Sequence, residues 1–382
     1  MIRKRIMTAC IASFCLGLTA CAGGGTETTG VQTTAETAVI EQEESLTAAE
    51  AETAMLEETS TAAEEIPVRV CVVYAGSGEG SQYNELCSTG AKQAAGDFEI
   101  ELDELTGISE EEWEANVLTA CEGGYDLVIG ASPEIGDYIA KYGSEFPDTD
   151  FAVIDVTVDL PNVQSVYFEE KEGFFLAGAA AAMFAKQSEV SGPNGETVIG
   201  WIGGMKLPIL QDYFSGYEQG AKYVDPEIVI LENYAGDWND PEEGRELAKL
   251  QTEQGAEVVL QVAYGTGEGV AESAEKVGIS VIDTDWMRRD GKSEENSILA
   301  SISKRADKAC YLLVQSVAEG TFEGGTIRYL SLKDGGIELQ AGERMPQEIA
   351  GRCDEIAEQI AAGEIIVGED VQNSSTSGED NN

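Results

Sequence analysis

Short apolar runs alternate with helix-like segments along this chain, and the alternation restricts its fold more than any other feature. One series begins at residues 68–74 and ends at 163–168, and a second begins at 197–202 and ends at 326–332. Continuous apolar runs separated by helical patterns are typical of parallel strands covered by helices on both faces. The sequence therefore predicts an α/β protein with two lobes, each a doubly wound parallel sheet.

The alternation also predicts where a ligand binds. In open α/β sheets, ligands sit beyond the carboxyl ends of the strands, and two lobes that face each other across such ends form a cleft.

In the first lobe, a helix is predicted over 83–95 and the second strand over 98–102. The lobes are expected at 67–170, with a return over about 300–367, and at 171–299.

The first 21 residues have the features of a bacterial export signal. Three basic residues at 3–5 precede an apolar stretch at 6–18, which is too short to be a stable transmembrane helix. The stretch ends in Leu18-Thr19-Ala20-Cys21, which resembles the bacterial lipobox and implies lipidation of Cys21. Several acyl chains on one residue would anchor the protein stably. In the alternative, this is an ordinary signal peptide and Cys21 is incidental.

Residues 22–66 are expected to be a solvated tether. The segment is rich in Thr, Ala and Glu and contains no Lys, Arg or Pro. Like charges repel one another, and little apolar surface is available for a core. A second polar tail is expected at 369–382.

The charge balance excludes several classes of function. Lys and Arg number 23 and Asp and Glu number 71, so the formal net charge is −48. A general nucleic-acid binder needs the opposite surplus, and docking on anionic lipid is disfavoured for the same reason. The charge also favours a monomer.

Histidine is absent, which removes His-based triads, His-containing zinc sites and His-ligated haem. Eight cysteines are present, three of them within the first 21 residues, and no pair has the spacing of a metal knuckle. The sequence therefore predicts no metal site and no cofactor, and it favours a protein that is not an enzyme.

Several motifs occur in a fixed order along the two lobes. They include Glu170-Lys171-Glu172-Gly173-Phe174-Phe175-Leu176-Ala177-Gly178, Gly203-Gly204-Met205, Asp283-Thr284-Asp285 and Ser301-Ile302-Ser303-Lys304-Arg305. Together they resemble the basic membrane protein family of substrate-binding lipoproteins, whose best-known members are purine nucleoside receptors. The resemblance covers roughly residues 67–367. It implies a type I periplasmic-binding fold, with lobes joined by a multi-strand hinge, that serves an ABC importer.

The resemblance implies a ligand site in the cleft. Tyr83 and Asn84 match a family motif that resembles Asp-Asp-x-Ser-Phe-Asn, with Tyr83 in place of the stacking ring and Gly80 in place of a base-contacting Asp. Gly80 leaves the identity of the base open. In the alternative, Tyr83 and Asn84 merely begin a helix, because Asn is a good helix cap.

Further candidates come from both lobes. Asp155, Asp283 and Lys304 match ligand contacts of the family, and Asp283 is the expected acceptor for ribose hydroxyls, because charge-assisted hydrogen bonds are strong. Trp238 and Tyr264 compete to supply a second ring against a flat base. Alternatively, Lys304 is a solvated lysine at the start of a helix.

The sequence thus predicts a solute-binding lipoprotein of an ABC importer on the outer face of the cell membrane. The favoured ligand is a purine nucleoside, and the expected partner is a membrane permease. One alternative is a lipid-anchored receptor for another small molecule, acting in signalling or as a surface antigen. Another is a carboxylate-based hydrolase of nucleosides or sugars, whose mark would be paired carboxylates in the cleft.

Overall fold

The computed structural model describes residues 67–76, 82–187, 196–284 and 297–368. The export signal with Cys21, the tether, the tail and the loop that carries Gly80 lie outside the described residues. Among the described residues, no helix combines the length and the apolarity needed to cross a membrane.

The first sheet consists of β1 (Arg69–Ala75), β2 (Glu101–Gly107), β3 (Leu127–Gly130), β4 (Asp150–Ile154), β5 (Val163–Phe168) and β11 (Thr326–Leu330). These six strands are all parallel and lie in the order β11-β5-β4-β3-β1-β2. Its helices are α1 (Gln82–Phe98), α2 (Glu110–Glu122), α3 (Pro133–Tyr142) and α8 (Ala306–Ala318), with a short 3-10 turn at Gly143–Glu145.

The second sheet consists of β6 (Val198–Gly203), β7 (Val229–Tyr234), β8 (Val258–Val262), β9 (Ser280–Thr284), β10 (Ile298–Lys304) and β12 (Ile337–Ala341). These six strands lie in the order β12-β10-β9-β8-β6-β7. All pairings are parallel except that of β12 with β10. Its helices are α4 (Glu170–Gln187), α5 (Pro208–Val224), α6 (Pro241–Glu253), α7 (Gly265–Val277) and α9 (Gln347–Ala361).

Alternate residues of one strand face two separate cores, as expected for a sheet covered on both sides. In β1, Val70 and Val72 contribute to one buried cluster, whereas Cys71 and Val73 contribute to another. All four side chains are fully buried. The prediction of two doubly wound α/β lobes is therefore confirmed.

The chain passes between the two sheets three times: from β5 to α4, from β10 to α8 and from β11 to β12. The expected return to the first lobe over about 300–367 is too long. Strand β10 pairs with β9, so the return begins with α8 and ends with β11. Strand β12 and α9 then belong to the second lobe, where α9 packs on α4.

The second strand begins later than the sequence predicted. Helix α1 continues to Phe98, and β2 begins at Glu101 instead of residue 98. Strand β2 lies at the sheet edge, and most of its residues are exposed or half-buried. Its apolar pattern is therefore weak, which explains the misplaced boundary.

Two glycines allow α4 and α5 to pack backbone to backbone. A Cβ on Gly178 would lie 2.0 Å from the carbonyl oxygen of Tyr217, and a Cβ on Gly220 would lie 1.8 Å from that of Phe175. Both distances are far below a van der Waals contact, so only glycine permits this approach. The Ala- and Gly-rich sequence of α4 thus suits its close packing on α5.

Candidate functional site

The predicted site residues that the structure describes lie at or beyond the carboxyl ends of strands, where open α/β sheets bind ligands. In the first lobe, Tyr83 and Asn84 open α1 after β1, and Asp155 follows β4. In the second lobe, Trp238 lies between β7 and α6, Tyr264 precedes α7, Asp283 lies near the end of β9, and Lys304 ends β10.

A buried ion cluster centres on Lys304. Its Nζ lies 3.0 Å from Oδ2 of Asp155 and 2.8 Å from Oε1 of Glu170, and its side chain is only 8% exposed. Asp155 comes from the first lobe, whereas Glu170 and Lys304 flank two of the three connections between the lobes. The cluster therefore joins the first sheet to the connections on which any movement of the lobes depends.

Lys304 keeps its positive charge within the cluster. Burial alone would lower the pKa of the Lys304 ammonium, but the Asp155 and Glu170 carboxylates raise it above its ordinary value. One ammonium then faces two carboxylates, each of which has several acceptor positions. The arrangement suits a ligand that offers hydrogen-bond donors and disfavours an anionic ligand.

Asp155 is held in an unusual backbone conformation. Its φ of +60° places it in the left-handed region, which Asp tolerates better than most residues other than glycine. Backbone strain of this kind is concentrated at functional sites. The conformation aims the carboxylate at Lys304, 149 residues away in sequence.

Glu170 and Tyr213 belong to the site, although the sequence analysis gave neither a role. The Tyr213 hydroxyl lies 3.4 Å from Oε1 of Glu170, and its ring stacks on Phe174 with 4.4 Å between centroids. Burial raises the pKa of Tyr213, so its hydroxyl stays protonated. The available signal was the position of Glu170, a carboxylate at the start of an otherwise apolar helix within a quoted motif.

Asp283 is a second buried acceptor. It is 2% exposed, and its Oδ1 accepts a hydrogen bond from Oγ of Ser301, the residue opposite it on β10. This bond orients the carboxylate from within the sheet. The structure thus brings Asp155 and Lys304 into contact and places Asp283 on the strand next to that of Lys304.

Trp238 and Tyr264 lie on adjacent connections of the second lobe. The backbone oxygen of Trp238 accepts a hydrogen bond from Thr266, two residues after Tyr264. The Trp238 ring packs tightly on Gly204, where a Cβ would lie 2.4 Å from it, whereas Tyr264 is 39% exposed. Tyr264 also has a positive φ of 51°. Both rings remain candidates for the second stacking surface.

Asn84 has a structural contact. Its Nδ2 donates a hydrogen bond of 3.0 Å to the carbonyl oxygen of Ala75, the last residue of β1. The side chain is almost fully buried. This contact ties the start of α1 to the end of β1, as expected in the alternative in which Asn84 helps to begin the helix.

Comparison with known proteins places this site in a family context. Residues 67–370 match the family model described as "ABC transporter substrate-binding protein PnrA-like". An ABC transporter nucleoside-binding protein, BmpA, from Lactococcus lactis subsp. cremoris is 29% identical, with 68% of this chain and 76% of the relative aligned. A CD4+ T-cell-stimulating antigen from Listeria monocytogenes is also 29% identical, over 69% of this chain and 76% of that protein.

Solved structures of solute-binding proteins share the fold. An ABC transporter solute-binding protein from Aeropyrum pernix K1 aligns with a TM-score of 0.58 and 25% identity, covering 80% of this chain and 95% of the other. One from Conexibacter woesei aligns with a TM-score of 0.63 and 22% identity, covering 78% and 98%. The two sheets described here therefore form the two lobes of a periplasmic-binding-protein-like fold.

Proposed function

The chain belongs to the family of PnrA-like ABC transporter substrate-binding proteins, and from this premise we propose that it is the lipid-anchored, extracytoplasmic binding protein of an importer for purine nucleosides. The observation that carries the proposal is the buried cluster of Asp155, Glu170 and Lys304 beside the connections between the lobes. A similar chain is named a nucleoside-binding protein.

The charges of the site favour a nucleoside over a nucleotide. Among the residues that the structure describes at this site, Asp155, Glu170 and Asp283 supply three carboxylates and Lys304 supplies an ammonium. Carboxylates accept hydrogen bonds from the hydroxyls of a ribose but repel a phosphate group. The aromatic side chains of Tyr83, Trp238 or Tyr264 would contact the flat base.

Binding would act through lobe closure. A ligand that contacts residues of both lobes stabilises the closed arrangement, because only a difference in affinity between two conformations shifts their populations. The closed lobes would then be recognised by a membrane permease. We propose no catalytic step, and the protein would release its ligand unchanged.

Asp283→Ala is the test of the binding site. For a chain that starts at residue 67, where the compact unit begins, we expect saturable binding of adenosine, guanosine or inosine in isothermal titration. Loss of a charge-assisted acceptor should weaken the affinity by about 10- to 100-fold. Asp354→Ala, which removes an exposed carboxylate of α9, should bind like the wild type. If folded, ligand-free wild type binds none of these nucleosides, the nucleoside assignment is wrong.

Cys21→Ser tests the anchor. We expect the wild-type chain, produced in a bacterium, to incorporate labelled fatty acid and to sediment with membranes. The Cys21→Ser chain should carry no label and appear in the soluble fraction, because the acylated residue supplies the membrane affinity. Equal labelling of the two chains would contradict a lipid anchor at Cys21.

A further inference from the structure

The hydroxyl of Tyr83 is buried without a partner. Within the described residues, no hydrogen-bond donor or acceptor contacts this oxygen. An unpaired buried hydroxyl destabilises a folded protein, whereas a phenylalanine would fill nearly the same space without that loss. A buried polar atom of this kind calls for a specific explanation.

The negative charges of the ion cluster act on the hydroxyl of Tyr83. Tyr83 sits in the first turn of α1 and packs against the core of the first lobe. Burial first, and then the negative charge of Asp155, raise the pKa of the Tyr83 hydroxyl well above its ordinary value, and Cys87, Cys310 and Glu170 add to the effect. The phenol is therefore protonated and has a hydrogen to donate.

The neighbouring carboxylates are already oriented by another group. Oδ2 of Asp155 and Oε1 of Glu170 both lie within 3.0 Å of the Lys304 ammonium. The Tyr213 hydroxyl also approaches Oε1 of Glu170. The two carboxylates thus already have partners, whereas the Tyr83 hydroxyl has a hydrogen to donate. A ligand bound at the cluster would accept that hydrogen.

We propose that the Tyr83 hydroxyl is a specificity-determining group that donates a hydrogen bond to a sugar hydroxyl of the ligand. This inference rests on the proposed function, because it requires a ligand with a sugar in the cleft. A sugar hydroxyl can accept the phenolic hydrogen while donating its own hydrogen to a nearby carboxylate. Such a chain of hydrogen bonds is mutually strengthening in a buried site.

The position of the oxygen favours the sugar over the base as its partner. A ring that stacks on a base contacts it through its face, and the hydroxyl then extends past the base along the ring plane. At Tyr83, the charges of Asp155 and Glu170 act on this oxygen. Carboxylates are the groups that bind sugar hydroxyls by charge-assisted hydrogen bonds.

Tyr83→Phe removes only this oxygen and keeps the ring. We expect the variant to bind a purine ribonucleoside about 10- to 100-fold more weakly than the wild type in isothermal titration. The thermal midpoint of the ligand-free variant should be equal to or higher than that of the wild type, since the unpaired hydroxyl is gone.

A series of deoxy ligands identifies the partner hydroxyl. The 2′-, 3′- and 5′-deoxy forms of the same nucleoside are titrated against the wild type and Tyr83→Phe. The one deoxy ligand that lacks the partner hydroxyl should bind both proteins with equal affinity, because the hydrogen bond is absent from both complexes. The wild type should also bind this ligand more weakly than the full nucleoside, since a site built for a hydroxyl penalises a ligand without it. The other ligands should retain the full difference between the proteins.

Tyr217→Phe is the matched control. The Tyr217 hydroxyl is also buried, but it donates a hydrogen bond of 3.1 Å to the carbonyl oxygen of Gly200 in the second lobe. Its removal should lower the thermal midpoint and leave the affinity for nucleosides unchanged. The two tyrosines therefore separate a structural hydroxyl from one that binds ligand.

The outcomes also separate this inference from the proposed function. If the wild type binds nucleosides and Tyr83→Phe binds all of them equally well, the inference alone is overturned. The same holds if the loss of affinity is identical for every deoxy ligand. If the wild type binds no nucleoside, the proposed function fails and this inference fails with it.

Discussion

Replacing Lys304 with methionine is expected to destabilise the protein by about 3–5 kcal/mol. Methionine fills much of the same space but leaves Asp155 and Glu170 facing one another without a counter-charge. Removing Lys304 leaves two carboxylates without their counter-charge in a site that is only partly open to water, with side-chain exposures of 23% and 13%. Urea denaturation at neutral pH should show the loss as a lower unfolding midpoint with an unchanged slope.

A surface ion pair provides the matched control. Lys141 lies 2.6 Å from Oε1 of Glu114, but its side chain is 58% exposed. Lys141→Met should therefore change the stability far less than Lys304→Met does, because solvent screens an exposed ion pair. If Lys304→Met proves as mild as Lys141→Met, the carboxylates at the cluster are solvated and the ion cluster is not buried.

A triple variant tests the physical reason for the effect of Lys304. Adding Asp155→Asn and Glu170→Gln to Lys304→Met removes all three charges. Because an uncharged replacement of a buried ion pair is often neutral in stability, most of the lost stability should return. Asn also tolerates the positive φ of residue 155. Both Lys304→Met and the triple variant should fail to bind nucleosides. Recovered stability without recovered binding would show that the charges of the cluster serve the ligand more than the fold.

Gly220→Ala is expected to destabilise the protein by about 3 kcal/mol, at the upper end for overpacking. The new Cβ would lie 1.8 Å from the carbonyl oxygen of Phe175, so α4 and α5 must separate. A backbone atom cannot rotate away as a flexible side chain can. Adding Gly178→Ala should cost less than it does alone, because it perturbs the same contact.

Gly351→Ala is the control for this change. Gly351 lies within α9, is exposed, and has no atom within 4 Å of the position of a Cβ. Alanine should stabilise the protein there by about 0.5–1 kcal/mol, because it restricts the unfolded chain and favours the helix. Thermal or urea denaturation of both variants checks the opposite signs. A Gly220→Ala midpoint equal to that of the wild type would contradict the close helix contact.

The sequence predicted the fold class well because parallel strands covered on both faces are continuously apolar. Strands such as β3 and β8 are buried at every residue. Edge strands lack this signal. Strand β12 is antiparallel and partly exposed, and the sequence prediction assigned no element after residue 332.

The site was predictable in its position and only partly in its contacts. The family resemblance singled out Asp155, Asp283 and Lys304, and the structure has all three at or next to strand ends, where open α/β sheets bind ligands. Their role in binding stays a prediction. The pairing of Lys304 with Glu170 depends on how two connections between the lobes meet in space. Local sequence patterns carry no information on contacts between distant segments. The contacts of Glu170 with Lys304 and Tyr213 were therefore not predicted.

The three passages between the sheets determine when a newly made chain can become functional. Neither lobe is a continuous stretch of sequence, since the sheets gain their last strands only with Thr326–Leu330 and Ile337–Ala341. Until these strands are made, β5 and β10 lie at open sheet edges. Exposed sheet edges are prone to aggregation. The residues of the ion cluster, the last of which is Lys304, are therefore all made before either lobe is complete.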